Sequence, residues 1–254
     1  MTRKTNQSFF DIYPHEYDAL TNAAARVKPH RKEVAAMIRR FGPTAVLDAG
    51  CATGLTARLF AEKSIPTVGL DRSKAMVELA TANSPYDSQL LSFMSGHFER
   101  LPKKLTGRFD LIVCLANSIT GVGTLANLRR TARGFFASLK PGGHLVIQML
   151  NYSSLKEGEV MPIKATEENG IVYERFSERR ARRLYVYVTR LDLKQRPPEL
   201  EVFRHEMDNF SRVEMEQGLR SAGFRNLKRF GDLVFRKKYS RSCRDLVITV
   251  QRPS

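Results

Sequence analysis

One stretch of sequence decides the fold: Val46-Leu47-Asp48-Ala49-Gly50-Cys51-Ala52-Thr53-Gly54. It predicts an apolar strand that ends at a carboxylate, then a turn of small residues, then a helix over residues 55–63. Glycine has no Cβ and adopts positive φ, so the backbone of such a turn can approach a ligand closely. The free N–H groups at the start of the helix suit a carboxylate or a phosphate. The stretch therefore predicts a site for a small, polar and partly anionic ligand.

The spacing of the glycines distinguishes between kinds of nucleotide site. A dinucleotide fingerprint has G-x-G-x-x-G after a strand, with an acidic residue about 20 positions further on. In this chain Ala52 stands where the second glycine would be, Gly54 follows two residues later, and Asp48 lies two residues before Gly50. This D-x-G-x-A-x-G pattern resembles the nucleotide-binding loop of class I S-adenosylmethionine-dependent methyltransferases. A purely structural strand-to-helix turn is the alternative.

The composition predicts a single α/β domain with an elaboration. Of 254 residues, 42% are hydrophobic and 27% are charged, which is typical of a globular protein with a sizeable core. No apolar run approaches a membrane span in length, and Met1–Phe10 is too polar for a signal peptide. Cys51, Cys114 and Cys243 form no metal-binding spacing. We therefore expect a cytoplasmic protein with reduced cysteines.

The chain is strongly basic, with 42 Lys and Arg against 26 Asp and Glu, which gives a net charge of +16. Such a balance favours nucleic acid, anionic membrane surfaces or acidic small molecules as partners. The excess is spread over three clusters, Arg26–Arg40, Arg175–Arg190 and Arg225–Arg244, rather than gathered in one tail. A solvated basic surface with no partner is an alternative that the sequence leaves open.

Residues 1–42 are predicted to form N-terminal helices that cover the cofactor-binding core. Ala19–Arg40 has a helical pattern of apolar residues, in which Pro29 can begin a helix, and Gly42-Pro43 ends it. In many methyltransferases such a helix closes over the cofactor, and the resemblance then brings Arg26 to the cofactor carboxylate. The alternative for Arg26 is an ordinary surface arginine.

A second predicted strand, Thr67–Asp71, again ends in a carboxylate. An acidic side chain there can accept hydrogen bonds from both ribose hydroxyls, and each such bond contributes about 1.5–3 kcal/mol. The alternative role for Asp71 or Ser73 is to cap a helix over Lys74–Ala82, and both roles are compatible. Met76 follows the carboxylate closely and is a candidate contact of the adenine or the ribose.

The third predicted strand, Leu90–Ser95, ends where a sheet of this winding would hold the adenine. Phe98 offers a flat apolar wall at this place, and His97 offers a ring nitrogen to the base edge. Many members of the family that this chain resembles have Asp where His97 stands. A structural histidine is therefore the alternative.

The fourth strand is predicted within Phe109–Ser118, because its apolar run indicates burial on both faces. Its carboxyl end brings Leu115 and Asn117 to the edge where ligands bind in open α/β sheets. Asn117 is therefore a candidate for orienting the nucleophile or steadying the methionine end of the cofactor. A turn at Lys140–Gly143 leads into a fifth strand over His144–Met149.

Four short motifs narrow the resemblance to one group of methyltransferases: Leu115-Ala116-Asn117-Ser118, Pro141-Gly142-Gly143, Asn151-Tyr152 and Gly231-Asp232. They are similar to motifs of the glycine/sarcosine N-methyltransferase group. Members of that group place an arginine just before the Asn-Tyr pair, where it holds the substrate carboxylate. Leu150 stands at that position here, so glycine is not the expected acceptor.

The resemblance implies that the chain binds S-adenosyl-L-methionine and releases S-adenosyl-L-homocysteine. The candidate cofactor contacts are Tyr17, Arg26, Asp48, Gly50, Ala52, Asp71, Met76, His97, Phe98 and Leu115. Asn117 is the catalytic candidate, and no metal is expected.

Residues 151–209 are predicted to form an antiparallel β insert that covers the substrate mouth. Its predicted strands are Ile171–Phe176, Arg183–Leu193 and Glu199–Met207. Half of the side chains of any strand face away from a cavity, so lining residues are not assigned individually. The candidates for this lining are Tyr173, Arg175, Tyr185 and Tyr187.

Residues 210–254 are predicted to form a last helix over Arg212–Ala222 and two antiparallel strands, Phe224–Phe230 and Leu246–Gln251. Between these strands lies the densest basic loop, Arg236–Arg244. It can bind phosphates or an acidic lipid surface, and a solvated loop is the alternative.

The prediction is a single methyltransferase domain with N-terminal helices (1–42), a cofactor-binding core (43–150), an insert (151–209) and C-terminal elements (210–254). Its α/β, Rossmann-like fold has a mostly parallel seven-stranded sheet, helices on both faces and the antiparallel insert after the fifth strand. The predicted function is methyl transfer to a nitrogen or oxygen of a small molecule, for which the basic charge favours an anionic one. An RNA methyltransferase or a basic nucleic-acid-binding protein of the same fold is the alternative, and the oligomeric state is left open.

Overall fold

The structure is a computed structural model that describes residues 2–5 and 8–254. Its strands are β1 (Thr2–Thr5), β2 (Val46–Ala49), β3 (Thr67–Asp71), β4 (Leu91–Ser95), β5 (Phe109–Cys114), β6 (Leu139–Leu150), β7 (Val160–Glu168), β8 (Ile171–Arg180), β9 (Arg183–Asp192), β10 (Glu199–Asp208), β11 (Arg225–Phe230) and β12 (Asp245–Gln251). Its α-helices are α1 (Phe9–Ile12), α2 (Tyr17–Thr21), α3 (Ala23–Phe41), α4 (Leu55–Ala61), α5 (Lys74–Ala82), α6 (Leu125–Ser138) and α7 (Arg212–Ser221). The strands form two separate sheets.

The larger sheet has seven strands in the order β11-β12-β6-β5-β2-β3-β4. Strands β2 to β6 are parallel, whereas β12 is antiparallel to β6 and β11 is antiparallel to β12. The strand order reverses at β2, which lies between β3 and β5, and ligands of such sheets bind beyond the carboxyl ends at this point. The predicted mostly parallel seven-stranded sheet is confirmed.

Two apolar layers cover the faces of this sheet, and β5 contributes to both. Ile112 packs on one face with Phe135 of α6, whereas Leu111 and Val113 pack on the other face with Met37 of α3. Burial of each such large apolar side chain contributes about 1.5–3 kcal/mol. Burial on both faces explains why β5 is an unbroken apolar run.

The smaller sheet contains the predicted antiparallel insert. Its order is β1-β10-β9-β8-β7, with β1 parallel to β10 and every other neighbour antiparallel. Strands β1 and β7 were not predicted. Strand β7 has no buried residue and contains Pro162, which weakens a strand pattern. Strand β1 depends on a partner distant in sequence, since Thr2 pairs with Leu200.

Helix α3 differs from the prediction in where it begins. It starts at Ala23, so that Pro29 lies inside the helix instead of opening it. The Asn22 side chain caps this earlier start, because its Oδ1 accepts a hydrogen bond from the Ala25 N–H at 3.2 Å. Burial of Met37 and its neighbours on α3 against the large sheet holds the helix in place.

Three properties of the described residues bear on the site. No helix within residues 2–5 and 8–254 is both long and apolar enough to cross a bilayer. In the same residues, no group of three or more His, Cys, Asp or Glu side chains is arranged to hold a metal ion. All three cysteines are buried and unpaired.

Candidate functional site

The loop after β2 has the strained backbone of a ligand-binding turn. Gly50 and Gly54 adopt φ of +84° and +85°, and Ala52 adopts φ of +47°. A Cβ on Gly50 would collide with the side chain of Ser118. The Asp71 carboxylate holds the strained turn, since its Oδ2 accepts a hydrogen bond from the Ala52 N–H at 2.9 Å. The ends of β2 and β3 are thereby joined at one edge of the sheet.

Two adjoining cavities lie at this edge. The larger has a volume of about 950 Å³, and the smaller has about 30 Å³. Four residues belong to the walls of both: Tyr17, Gly50, Ala52 and Ala116. The small-residue loop therefore separates the two spaces.

The structure brings all eleven predicted site residues to these walls. The larger cavity alone is lined by Asp71, Met76, His97, Phe98 and Asn117. The smaller cavity alone is lined by Arg26, Asp48 and Leu115. Tyr17, Gly50 and Ala52 line both. In the part of the chain described, the four lining candidates from the insert lie outside these walls.

Asp48 is a buried carboxylate with an incomplete set of partners. Its exposed fraction is 2%, and its Oδ2 has no hydrogen-bond partner. Burial, with a further contribution from the nearby Asp71 carboxylate, raises the pKa of Asp48 to about 7. A buried carboxylate in this state is stabilised by a cationic or hydrogen-bond-donating ligand.

Asp71 has both a structural role and a face toward the larger cavity. Besides the bond from Ala52, its Oδ1 accepts a hydrogen bond from the Ser73 N–H at 3.0 Å. Ser73 itself caps α5, because its Oγ accepts a hydrogen bond from the Met76 N–H. A carboxylate has about four lone-pair sites, so two remain for a ligand.

The N-terminal helices close the smaller cavity. Thr53 of the loop donates a hydrogen bond from Oγ1 to Asp18 of α2 at 2.7 Å. A guanidinium nitrogen of Arg26 lies 3.2 Å from Nε2 of His30, one turn further along α3. Burial raises the pKa of Tyr17, and the positive charge of Arg26 opposes this shift. The loop and the helices thus form one contiguous wall.

His97 and Phe98 occupy the far end of the larger cavity. The His97 side chain is 61% exposed, and its Nδ1 lies 3.7 Å from a Glu99 carboxylate oxygen. The Phe98 ring packs against Phe135, with 5.8 Å between ring centroids. Phe98 is therefore fixed by the apolar layer, whereas His97 is a surface side chain.

Both polar atoms of the Asn117 side-chain amide form hydrogen bonds within the protein. It adopts φ of +68°, and its Oδ1 accepts a hydrogen bond from the Leu150 N–H at 2.5 Å. Its Nδ2 donates to the Tyr152 hydroxyl at 3.1 Å, and that hydroxyl lies 3.4 Å from Ser177 Oγ. Any effect of Asn117 on a ligand is therefore coupled to Tyr152.

A family model described as a methyltransferase domain matches residues 15–229. The chain belongs to this methyltransferase family. It is 26% identical over 257 residues to a glycine/sarcosine/dimethylglycine N-methyltransferase of Actinopolyspora halophila, an alignment that covers 96% of this chain and 43% of that protein. The predicted resemblance to methyltransferases of this group is confirmed. The chain spans about half the length of the first curated relatives that it matches.

Solved methyltransferases share the fold of this family member. The CcbJ methyltransferase of Streptomyces caelestis superposes with a TM-score of 0.76 at 19% identity, covering 89% of this chain and 90% of that one. SAM-bound CalS10, an amino pentose methyltransferase of Micromonospora echinaspora, superposes with a TM-score of 0.69 at 23% identity, covering 98% and 99%. The predicted class I methyltransferase fold is confirmed.

Some wall residues of this family member were not predicted, among them Phe10 and Met207. Met207 is the last residue of the predicted strand Glu199–Met207, and Phe10 belongs to an aromatic N-terminal segment. The sequence shows both the strand and the aromatic segment, but neither indicates in which direction the Met207 or Phe10 side chain points. That direction depends on how the smaller sheet and the N-terminal segment pack.

Proposed function

We propose that this protein transfers the methyl group of S-adenosylmethionine to a nitrogen or oxygen atom of a small molecule. The main support is the pair of carboxylates at neighbouring strand ends, Asp48 and Asp71, on the walls of adjoining cavities. The unpartnered Oδ2 of Asp48 fits a ligand that carries a cationic group. The volume of about 950 Å³ lies within the range of about 300–1,000 Å³ found for small-molecule sites.

The methionine end of the cofactor would be held at the smaller cavity. Asp48 supplies a partner for the α-ammonium group, and Arg26 supplies one for the α-carboxylate. The absence of a Cβ at Gly50 leaves room for the Ser118 side chain, which packs against the loop at this point. This cavity holds about one water molecule in its present form, so we expect Arg26 and Tyr17 to move when the cofactor binds.

The nucleoside end would be held at the larger cavity. Asp71 accepts hydrogen bonds from the ribose hydroxyls while it continues to hold the Ala52 N–H. Met76 and Phe98 supply apolar contacts for the adenine, and His97 lies at its exposed edge. We further propose that Leu115 packs against the cofactor near the loop.

The bound cofactor supplies an activated methyl group on its sulfonium, so the protein needs no electrophile of its own. The chain contributes alignment of the acceptor and exclusion of water. Phe10 and Met207 are apolar residues of the cavity wall, and we propose that they exclude water. We propose that Asn117 and Tyr152 align the acceptor, because their hydrogen bond fixes both side chains beside the loop.

The acceptor is proposed to be a small molecule other than glycine. The names of the matched proteins include an amino pentose methyltransferase and N-methyltransferases of glycine and sarcosine, and these names favour a small acceptor over RNA. Leu150 cannot pair with a carboxylate, which disfavours glycine itself. A cytoplasmic location is proposed as well, because the three cysteines are unpaired.

Calorimetric titration with S-adenosylmethionine or S-adenosylhomocysteine tests the cofactor assignment. We expect wild-type protein to bind either ligand, and we expect Asp71→Ala to weaken binding by a factor on the order of 30, since about 2 kcal/mol of hydrogen bonding is lost. Glu78→Ala is the matched control, because Glu78 is an exposed carboxylate on α5. We expect it to leave affinity unchanged.

Release of S-adenosylhomocysteine from S-adenosylmethionine, in the presence of panels of small amines, alcohols and transfer RNA, tests the acceptor. We expect turnover with a small molecule and none with RNA. Failure of wild-type protein to bind either cofactor form rejects the proposed activity. Turnover with RNA alone rejects the small-molecule assignment.

A further inference from the structure

The face of β8 that packs inward carries two arginines, Arg175 and, near the end of the strand, Arg179, which donates a hydrogen bond to a backbone carbonyl oxygen. Residues alternate along the strand, and Arg175 shares its face with Ile171, Tyr173 and Ser177, which are 6%, 2% and 0% exposed. The Nε atom of Arg175 is buried and has no hydrogen-bond partner. Unpaired buried polar groups of this kind are rare in folded proteins and destabilise them.

Two further cations adjoin Arg175. Lys164 is its direct partner across the β7–β8 pair, and like charges in that arrangement repel. The Arg244 guanidinium donates a hydrogen bond to the carbonyl oxygen of Ile163, the residue next to Lys164, at 3.3 Å. Burial lowers the pKa of Lys164, and the charges of Arg175, Arg26 and Arg244 lower it further.

These cations form no close ion pair in the described residues. Among residues 8–254, the ion pairs within 4.0 Å include none to Lys164, Arg175 or Arg244. Burial raises the pKa of the neighbouring Asp245, and the Arg244 charge opposes this shift because it favours the ionised carboxylate. Lys164 instead donates to the carbonyl oxygen of Thr21 at 3.3 Å. A group of three cations without an ion-paired carboxylate, one of them with a buried and unpartnered Nε, is a candidate site for an anion.

The cluster lies next to the proposed place of methyl transfer. Ser177 follows Arg175 by two residues on the same face, and its Oγ lies 3.4 Å from the Tyr152 hydroxyl that bonds to Asn117. Tyr17, which lines both cavities, is close enough to Arg175 for each group to affect the pKa of the other. An acceptor whose reacting atom lies at Asn117 can therefore extend toward the cluster.

We propose that the methyl acceptor carries an anionic group, a carboxylate or a phosphate, which is bound by Arg175 together with Lys164 and Arg244. This assignment rests on the proposed methyltransferase function. Arg175 supplies a guanidinium that pairs with two oxygens of either anion, and Lys164 and Arg244 supply additional positive charge. The reacting nitrogen or oxygen then lies at the opposite end of the acceptor, beside the larger cavity.

Calorimetric titration of protein saturated with S-adenosylhomocysteine, with sodium phosphate and separately with sodium acetate, tests the anion site. We expect saturable binding of at least one anion by wild-type protein and at least tenfold weaker binding by Arg175→Met. Arg129→Met is the matched control, since it removes one charge from an exposed position on α6. The stronger of the two anions identifies the chemical class of the acceptor group.

The outcomes separate this inference from the proposed function. Binding of neither anion by wild-type protein overturns the anion site, and so does equal weakening in Arg175→Met and Arg129→Met. If Arg175→Met does not fold, Lys164→Met takes its place with the same expectation. The affinity for S-adenosylhomocysteine, measured alongside, is expected to stay within twofold of wild type in every variant. If wild-type protein does not bind this ligand, the proposed function fails, and the anion titration of the free protein still decides the site.

Discussion

Two arginines on neighbouring strands of the smaller sheet, the buried Arg190 and the half-buried Arg175, differ in whether the protein supplies them with carboxylate partners. Arg190 on β9 forms a bidentate pair with Glu16, at 2.8 Å and 3.0 Å, and lies within 3.6 Å of carboxylate oxygens of Asp192 and Glu201. Arg175 on β8 has a buried Nε with no partner. The same residue type is thus paired with carboxylates in one cluster and left without an ion pair in the other.

The difference follows from what each cluster holds. Around Arg190, the hydroxyl of Tyr13 donates to Glu201 and that of Tyr173 donates to Glu16, both at 2.7 Å. These bonds fasten the N-terminal segment to the smaller sheet, and that segment leads into Tyr17 at the cavity. A buried cluster whose arginine is ion-paired in this way has a structural role. The groups with an unpartnered buried atom, Arg175 and Asp48, lie near or at the cavities, where a ligand can supply the missing partner.

The largest expected effect is a loss of stability when the cluster around Arg190 loses its cation. Arg190→Met leaves Glu16 and Glu201 without their cation, so we expect the free energy of unfolding to fall by about 3 kcal/mol. Arg183→Met is the control on the same strand, because the Arg183 side chain is 46% exposed where it pairs with Glu206 and Asp208, and we expect a loss below about 1 kcal/mol. Urea denaturation measures both. Equal losses in the two variants would remove the distinction between the clusters.

The next effect concerns the unpartnered carboxylate of Asp48, whose pKa of about 7 makes ligand binding depend on pH. Below pH 7 the carboxyl group is protonated and offers no charge to an ammonium group. We therefore expect the affinity for S-adenosylhomocysteine to rise as the pH increases from about 5.5 to 7.5, by at most tenfold per pH unit. Calorimetry across this range measures the slope, and Asp48→Asn is expected to flatten it.

The same shift has a consequence for the free protein. Between pH 3.8, the usual pKa of an aspartate, and the pKa of about 7 that Asp48 has in the folded protein, the folded state binds a proton that the unfolded state has lost. The stability of the free protein should therefore fall as the pH rises across this window, and it should stay level above it. A stability curve of Asp48→Asn with the same slope as wild type would assign the slope to another group.

A smaller effect is expected for the link between the cavity and the Arg175 cluster. Tyr152→Phe removes the hydroxyl that accepts from Asn117, and we expect a loss of about 1 kcal/mol in stability and a lower kcat. The KM for S-adenosylmethionine should not change. Tyr187→Phe removes a hydroxyl that donates to Glu178 instead, and we expect kcat to stay at the wild-type value. A raised KM for the cofactor in Tyr152→Phe would contradict the positioning role.

The smallest expected effect is the change in stability on removing Arg175, which should be close to zero or opposite in sign to the change on removing Arg190. Arg175→Met removes a charge that is unpaired and faces Lys164, so we expect stability to stay level or to rise by up to about 1 kcal/mol. Urea denaturation beside Arg190→Met measures this. A loss comparable with that of Arg190→Met would mean that Arg175 is a structural arginine like its neighbour.

Much of the larger sheet could be predicted because its signals are local. The strand over Thr67–Asp71 and the helix over Lys74–Ala82 have the predicted bounds, since one is a short apolar run and the other has an N-cap serine. Strand β6 is longer than predicted, because it extends through the Pro-Gly-Gly segment that has the composition of a turn. Strand β1 was not predicted, because its pairing partner lies about 200 residues away.

The candidate site, too, was predicted where the signal is local and missed where it depends on distant residues. Sequence reasoning identified Asp48, Asp71 and Asn117 because each lies at or just beyond the carboxyl end of a strand of a parallel sheet, and such ends meet at one edge. It did not identify the engagement of Asn117 by Leu150 and Tyr152, which requires two strand ends to be in register. The roles of these residues toward a ligand remain predictions.

The sequence by itself determined the strands of the larger sheet, the small-residue turn at Gly50 and the excess of positive charge. Those properties depend on a few adjacent residues or on composition alone. Only the tertiary structure decided that Arg190 is ion-paired and Arg175 is not, because Glu16 lies 174 residues from Arg190 along the chain. Whether a buried charge is compensated depends on which distant side chains the fold brings within a few ångströms, and no local pattern contains that information.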